Sequence, residues 1–159
     1  MTSAIRSPLS PRQQWLSVLA RAPRAALERH AAVLASHAFE PLRDAETGLA
    51  MVRARIGNHC DRFNLGEATL TRCVVRHRGA SGAVAAGVGY VLGRDTERAG
   101  WVARLDALLQ QPEHHDALMH EVIAPLRRLT DEAHAAEQAR TAASRVRFFA
   151  LQPENGASS

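Results

Sequence analysis

The segment Ala83-Val84-Ala85-Ala86-Gly87-Val88-Gly89-Tyr90-Val91-Leu92 is the most informative part of the sequence for the fold. Side chains of an extended chain alternate between two faces. One face of this segment therefore carries only small residues, namely Ala85, Gly87, Gly89 and Val91. A flat glycine face lets a helix or another backbone approach closely, so we predict a strand packed by that face. The glycines lie inside the strand, which does not match either common phosphate-binding loop.

Two more strands are predicted before this segment. From Leu49 to Ile56, Ala50, Val52 and Ala54 alternate with Met51 and arginines, which indicates a strand with one buried face. A loop over 41–48 precedes that strand, and a loop over 57–64 follows it. The second strand is predicted over 67–76 and is joined to the third by turn residues 79–82. Short connections favour antiparallel neighbours.

Helices are predicted on both sides of the strands. Ser10 followed by Pro11 is typical of a helix start, and this first helix should run to about Ala20. Pro23 should open a second helix that includes Leu34. After the third strand, Asp95 or Thr96 should cap a helix that ends before Pro112. A further helix from Glu113 should break or kink at Pro125, with Leu126, Leu129 and Ala133 continuing its apolar stripe.

A fourth strand is predicted near the end, where Val146, Phe148 and Ala150 alternate with other residues. The predicted architecture is an α+β domain. It has an antiparallel sheet of about four strands, with helices at the N-terminus and between strands three and four. The 159 residues suffice for one domain, which we place at 10–152 between an N-terminal tail, 1–9, and a C-terminal tail, 153–159.

The composition is that of a globular protein. Hydrophobic residues make up 46% of the chain, and the mean hydropathy is -0.21. Its longest apolar run, 83–92, is too short to cross a bilayer, and residues 1–10 lack the apolar stretch of a secretory signal. We therefore expect a cytoplasmic protein with no membrane contact.

The basic charge leaves two classes of partner open. The formal net charge is +4, the isoelectric point is about 10.3, and every basic side chain other than histidine is an arginine. Arginine binds phosphates and carboxylates through two parallel hydrogen bonds, so a phosphorylated ligand or an acidic protein surface would fit. A nucleic-acid-binding module is the alternative. It is disfavoured because aromatic residues, which stack on bases, are only 4% of the chain.

Residues that could carry chemistry do not form a complete set. His115 and His120 are five apart and would not share a helical face, and His59, Cys60 and Asp61 form no known metal spacing. Cys73 falls in a strand and is interpreted as a buried apolar residue. An acid-base pair of Glu67 with His77 has no geometric support in the sequence. We predict no metal site, no cofactor and no catalytic residue.

Arg72 is the residue that a simple amphipathic strand explains least well. Strict alternation places it on one face with Ala68, Leu70 and Val74. Either a bulge redirects the strand, or the arginine points inward and is paired, with Glu67 as a possible partner. A structural ion pair and a phosphate contact both remain open. The candidate phosphate or partner contacts are Arg72, Glu67, Thr69 and Arg94.

Several segments, taken in order, resemble the PhnG family. They are Arg12-Gln13-Gln14-Trp15-Leu16-Ser17-Val18-Leu19-Ala20, Ala45-Glu46-Thr47-Gly48-Leu49, Arg55-Ile56-Gly57, Arg62-Phe63, Gly66-Glu67-Ala68-Thr69-Leu70-Thr71-Arg72, Gly93-Arg94-Asp95, Asp106-Ala107-Leu108-Leu109-Gln110, Ile123-Ala124-Pro125-Leu126 and Ser144-Arg145-Val146-Arg147-Phe148-Phe149. The resemblance spans nearly the whole chain. One departure is the loop His59-Cys60-Asp61, where the family has small, glycine-rich residues.

The resemblance implies an accessory subunit of the carbon-phosphorus lyase complex. In that family's pathway, methylphosphonate displaces adenine from ATP to give a ribose 1-methylphosphonate 5-triphosphate. The implied partners are the PhnH, PhnI and PhnJ subunits, present in paired copies, and the chemistry is attributed to PhnI and PhnJ. We therefore expect no turnover by the isolated chain. We also expect it to self-associate, because apolar residues such as Met51 on the second face of the first strand need a covering surface.

Overall fold

The computed structural model describes residues 9–55 and 62–144. Within them, three antiparallel strands form one sheet in the order β1-β2-β3, namely β1 (Phe39–Ala54), β2 (Phe63–Arg78) and β3 (Val84–Leu92). The helices are α1 (Pro11–Arg21), α2 (Arg24–Glu28), α3 (Ala31–Ala35), α4 (Thr96–Leu109), α5 (Pro112–Leu118) and α6 (Ala124–Ala143). The predicted α+β class is confirmed. The predicted fourth strand, 146–151, lies outside the described residues.

The first two strands are longer than predicted. The expected loop over 41–48 is part of β1, and Phe63 and Asn64 of the expected second loop belong to β2, while 57–61 lie outside the described residues. Among the described strands, β1 lies at an edge of the sheet, where a proline such as Pro41 is tolerated. Register shifts follow between Pro41 and Arg43 and between Arg43 and Glu46. These irregularities explain why the segment lacks a clear alternating pattern.

Helix α4 covers one face of the sheet and determines which side chains are buried. In β2 the buried residues are Thr71, Cys73, Val75 and His77. The opposite face, with Arg72 and Val74, is not covered by α4. The prediction of an inward face made of Ala68, Leu70 and Val74 was wrong. In β1, Val52 is 37% exposed, so the predicted buried face of that strand was wrong as well.

Glycines of β3 allow α4 to pack directly against the sheet. A Cβ atom on Gly87 would lie 2.0 Å from the carbonyl oxygen of Ala103, and one on Gly89 would lie 2.0 Å from the carbonyl oxygen of Ala99. The facing residues Ala99 and Ala103 are four apart and share a helix face. The predicted packing role of the glycine face is confirmed. The core forms here, with Leu105, Leu108 and Leu109 of α4 at most 1% exposed.

The first helix begins as predicted. The Ser10 side chain accepts a hydrogen bond from the Gln13 N–H, and the Gln13 side chain accepts from the Ser10 N–H, forming a capping box. The predicted second helix is instead two short helices, α2 and α3. The His30 N–H donates to the Leu27 carbonyl at 2.9 Å, and this tighter three-residue bond ends the first of them.

Pro125 alters the helix around it without ending it. A π-helical turn, Met119–Ile123, joins α5 to α6, and the Ala124 N–H bonds to the Met119 carbonyl five residues back. Because proline has no N–H and its ring clashes with the carbonyl four residues earlier, a wider turn relieves the conflict. Leu126 is buried, but Leu129 is 42% exposed and Ala133 is exposed, so the predicted stripe ends early. Across the described ranges, no helix combines the length and apolar character needed to cross a membrane.

Part of the sheet extends beyond α4. We call this part the distal arm and define it as residues 46–54 of β1 and 63–70 of β2. Its apolar side chains are largely exposed, with Leu49 at 67%, Met51 at 53% and Leu65 at 64%. The same strands are buried nearer to α4, so the distal arm is a continuation of the sheet that none of the described helices covers.

Candidate functional site

The outer face of the sheet, opposite α4, carries Arg72. Its Nε donates to Glu46 Oε1 of β1 at 2.6 Å, and Arg43 Nη1 donates to the same oxygen at 3.0 Å. The hydrogen bond from Arg72 is the main cause of a pKa of Glu46 below its usual value. An ion pair, one of the two roles left open for Arg72, is formed, but the side chain of Arg72 is 46% exposed and its partner is not the Glu67 that was considered. Both the inward orientation and that partner were wrong.

The four candidate contact residues do not share one surface. Glu67 lies opposite Met51 and Thr69 opposite Leu49 in the β1–β2 ladder. Their side chains alternate with that of Arg72 and so point to the other face of β2. Arg94 is exposed and follows Gly93, whose N–H donates to the Thr69 carbonyl at 2.9 Å. Thr69 and Arg94 are therefore close along the backbone, while Arg72 belongs to a separate surface.

Charge pairs and apolar side chains divide the outer face into two parts. Towards β1, Arg76 Nε donates to Glu40 Oε2 at 3.0 Å, parallel to the pair of Arg72 with Glu46. Towards β3, Val84, Tyr90 and Leu92 are 52%, 48% and 68% exposed. An exposed apolar group bordered by polar residues is typical of a protein-binding surface. The face is thus suited to contact another protein.

A cleft of about 380 Å³ lies on the other face, between α4 and the first part of β1. Its lining includes Asp44, Cys73, Trp101 and Arg104. The Arg104 guanidinium lies 5.8 Å from the Phe39 ring centre, a cation-π contact. Burial raises the pKa of the Cys73 thiol, which keeps it protonated and weakly nucleophilic near neutral pH. The interpretation of Cys73 as a buried apolar residue is confirmed.

Asp106 is the centre of a buried polar network that the sequence did not reveal. It is 0% exposed and accepts hydrogen bonds from Arg12 at 2.7 Å, from Trp15 Nε1 at 2.9 Å and from the Val88 N–H at 2.9 Å. The network connects α1, α4 and β3. Because its acceptor sites are already used by the protein, Asp106 acts in holding these elements together.

Thr71 is a second polar residue with an unforeseen structural role. It is 0% exposed, donates to the Gly93 carbonyl at 2.7 Å and lies 3.0 Å from the Thr47 hydroxyl. These bonds join β1 and β2 to the residue that follows β3, at the level where the distal arm begins. Thr71 shares a strand face with Cys73 and Val75 and alternates with Arg72, and this pattern was the available signal for its inward position.

The histidines are used in packing and backbone contacts. His115 Nδ1 is 2.7 Å from the Leu109 carbonyl, and its ring is 5.5 Å from that of Trp15. His37, His77 and His114 cluster with centroid separations of 4.8 to 6.5 Å. In the parts of the chain that the structure describes, no three potential ligands are arranged to hold a metal ion. Residues 59–61 of the second metal hypothesis lie outside those parts.

The acid-base pair of Glu67 with His77 does not form. Both residues belong to β2, and ten residues of extended strand separate their Cα atoms by about 33 Å. His77 is 6% exposed, and its Nδ1 lies 2.9 Å from the Ala38 carbonyl. This separation excludes concerted proton transfer between the two side chains.

Comparison with known proteins agrees with the sequence resemblance. The family described as phosphonate metabolism protein PhnG matches residues 10–152. A relative from Rhizobium meliloti (strain 1021) is 44% identical over 113 residues, which cover 70% of this chain and 68% of the relative. That relative is named alpha-D-ribose 1-methylphosphonate 5-triphosphate synthase subunit PhnG. The matched region contains the whole described sheet and its helices, so the outer face and the distal arm lie within it.

Proposed function

This chain belongs to the PhnG family of phosphonate metabolism proteins, and we propose that it is an accessory, non-catalytic subunit of the carbon-phosphorus lyase complex. The observation that carries the proposal is the family match over residues 10–152. The relative at 44% identity is named as a subunit of the ribose methylphosphonate triphosphate synthase. By this proposal the chain supports transfer of the ribose triphosphate of ATP to methylphosphonate, with release of adenine.

The contacts of the most prominent charged residues support an accessory role. Asp106 is committed to Arg12 and Trp15, and Arg72 is committed to Glu46. A catalytic acid, base or phosphate clamp must instead direct its charge at a bound substrate. The charges of Asp106 and Arg72 are thus satisfied by other residues of the chain, which fits a subunit that provides surfaces to others.

The proposed partners are the PhnH, PhnI and PhnJ subunits, in paired copies and in the cytoplasm. The exposed apolar side chains of Tyr90 and Leu92 on the outer face, at 48% and 68%, support a protein partner. Burying such side chains contributes about 25 cal/mol per Å² of apolar surface removed from water. A stable subunit interface requires several such contacts.

The candidate contact residues fall into two proposed groups. Thr69 and Arg94 lie close together through the backbone bond of Gly93, so Arg94 is the better placed of the arginines for a phosphate or an acidic partner side chain. Arg72 is already bonded to Glu46, and we assign it to partner contact at the outer face. Glu67, on the distal arm, is assigned to partner contact.

The rival proposal is a nucleic-acid-binding module. Such modules present arginines and stacking aromatic rings on an open sheet. Here Arg72 and Arg76 are each neutralised by a glutamate of β1, so their part of the open face has little net positive charge. This favours a protein partner over a phosphate backbone, whose binding depends on unneutralised cations.

Co-expression with the three proposed partners tests the function. PhnH, PhnI and PhnJ are produced with and without this chain, and the products are sized by sedimentation velocity. We expect one large complex containing this chain, and smaller or aggregated products when it is omitted. An unchanged assembly of the three partners that excludes this chain would overturn the proposal.

A further inference from the structure

We propose that the outer face of the sheet binds an amphipathic helix of a partner subunit, laid along β3, with acidic side chains on the flank of the helix nearest β2. The inference rests on the proposed function, because it assigns the helix to another subunit of the complex. It adds the kind of structural element that the face accepts. None of the described helices covers the apolar side chains of this face, and Val84, Tyr90 and Leu92 are 52%, 48% and 68% exposed.

The apolar side chains of the outer face form a strip that is two strands wide. Leu70 of β2 lies opposite Leu92 of β3, and Val74 lies opposite Val88. These pairs have their side chains on the same face because directly opposed residues of an antiparallel ladder point the same way. The strip consists of Leu70, Val74, Val84, Val88, Tyr90 and Leu92.

The dimensions of the strip fit one helix. Neighbouring strands lie about 4.8 Å apart, so two strands with their side chains are about as wide as a helix, whose diameter is about 10 Å. The nine residues of β3 extend for about 26 Å at about 3.3 Å per step, a length that a helix of about 17 residues covers. A second sheet would need an apolar face several strands wide. The face towards β1 is instead occupied by arginine-glutamate pairs.

The charges beside the strip favour an acidic flank on the bound helix. Glu46 accepts hydrogen bonds from both Arg72 and Arg43, so one carboxylate serves two guanidinium groups. Farther along the same face, Glu40 is paired with Arg76. These two glutamates therefore do not balance all the arginines beside the strip.

Arg78 is the clearest unbalanced charge. It is exposed, it points to the same face as Arg76, and it forms no ion pair with any described residue. Its Nη1 lies 3.5 Å from the Gly82 carbonyl, which is at the long limit of a hydrogen bond. A hollow of about 230 Å³ beside Arg78 opens at the Val84 end of the strip, and its one carboxylate, Glu40, is already bonded to Arg76. A glutamate on the flank of a bound helix fits this hollow and supplies the ion pair that Arg78 lacks.

Photo-cross-linking in the assembled complex tests the helix directly. Benzoylphenylalanine replaces Val84, Val88 or Leu92 in the full chain, which is co-expressed with PhnH, PhnI and PhnJ, and cross-linked sites are mapped by mass spectrometry. Four residues of β3 span about 13 Å, and a helix rises 1.5 Å per residue. We therefore expect the three positions to reach one segment of one partner, at successive spacings of about seven to eleven residues.

Several results would overturn the inference. An extended partner segment would give spacings of about four residues, because it rises about 3.3 Å per residue. Cross-links to a second copy of this chain, or to its own residues 145–159, would show a different occupant. The absence of cross-links in a complex that contains the chain would also count against the helix. A complex that omits the unmodified chain would overturn the proposed function as well, so the two failures are distinguishable.

A charge reversal tests the acidic flank. Arg78→Glu and the unmodified chain, carrying different tags, compete at equal expression for incorporation into the complex. The variant should be incorporated at least about tenfold less, because a like charge then faces the acidic flank of the helix. The matched control is Arg128→Glu on α6, which makes the same change of charge at an exposed position outside the strip and should be incorporated as the unmodified chain is.

A compensating change in the partner completes the test. Replacing the acidic residue of the cross-linked segment by arginine should restore incorporation of Arg78→Glu, since opposite charges then meet again. Urea unfolding verifies that each variant of this chain is folded. Equal incorporation of Arg78→Glu and the unmodified chain would overturn the acidic flank, and so would a lack of recovery with the compensating change.

Discussion

The contact of β3 with α4 and the distal arm of β1 and β2 are built from the same sheet but differ in what covers them. At Gly87 and Gly89 the helix backbone lies directly on the strand, and the surrounding leucines are fully buried. In the distal arm the strands continue with Leu49 and Met51 mostly in contact with solvent. Hydrogen bonding between β1 and β2 is thus enough to extend the sheet into the distal arm. A buried core forms only where helix α4 packs against the sheet. The first region stabilises the fold, and the second is available for binding.

The largest expected difference between the two regions is in the free energy of unfolding after a glycine in each is replaced by alanine. Gly87→Ala should lower the free energy of unfolding by about 3 kcal/mol, because the new Cβ would lie 2.0 Å from the Ala103 carbonyl. Gly48→Ala, in the arm, places its Cβ with nothing within 4 Å and should change stability by less than about 0.5 kcal/mol. Urea unfolding of both variants measures this contrast. Equal effects would show that α4 does not pack as described.

The second comparison removes one carboxylate from each region. Asp106→Ala should cost about 2 kcal/mol, since it leaves the Trp15 N–H and the Val88 N–H without their acceptor. Glu46→Ala should leave the unfolding midpoint nearly unchanged, because its pair with Arg72 is exposed. Thermal and urea unfolding of the two variants measure the difference. A larger loss for Glu46→Ala would contradict the assignment of the buried network as structural.

A smaller change in the free energy of unfolding is expected when an apolar side chain of the distal arm is replaced by a polar one. Leu49→Ser should change the stability of the dilute, monomeric chain by less than about 0.5 kcal/mol, because Leu49 is 67% exposed. The same substitution should weaken the expected self-association of the chain, since it removes exposed apolar surface from the distal arm. Urea unfolding at low concentration and sedimentation at high concentration separate the two effects. A loss of several kcal/mol in the monomer would show that the arm is part of the core.

The smallest expected effect concerns the titration of Glu46. The pKa of Glu46 in the folded protein is depressed chiefly by the Arg72 hydrogen bond. The small stabilisation from this pair is therefore fully present above the ordinary glutamate pKa. It is lost as the pH falls through the pKa of Glu46 in the folded protein. In Arg72→Ala, the pKa of Glu46 should rise towards its usual value while the melting temperature stays nearly constant. NMR titration measures the pKa. An unchanged pKa of Glu46 would show that the pair is not formed in solution.

Much of the fold was predictable because local signals agreed with tertiary packing. Ser10 and Pro11 defined the start of α1, and the small-residue face of β3 predicted close approach by another element. The faces of β2 were assigned wrongly because Leu70 and Val74 are more apolar than Thr71 and Cys73. The buried threonine is satisfied by bonds to Gly93 and Thr47, which depend on strand pairing and are invisible in the local pattern.

The candidate site was harder to predict than the fold. For Arg72 the sequence left an ion pair and a phosphate contact both open, because its partner Glu46 is 26 residues away in sequence and reaches it only through the β1–β2 register. Asp106 likewise receives Arg12 from a distance of 94 residues. Long-range pairs of this kind follow from topology, which no single segment specifies.

Adenine release is the most direct measurement of the central claim, that this chain supports phosphonate chemistry without performing it. ATP and methylphosphonate are incubated with the purified chain, with PhnH, PhnI and PhnJ alone, and with all four proteins together. We expect no adenine from the purified chain, little from the three partners alone, and rapid release from the complete set. Adenine release by the purified chain would show that it performs the chemistry itself.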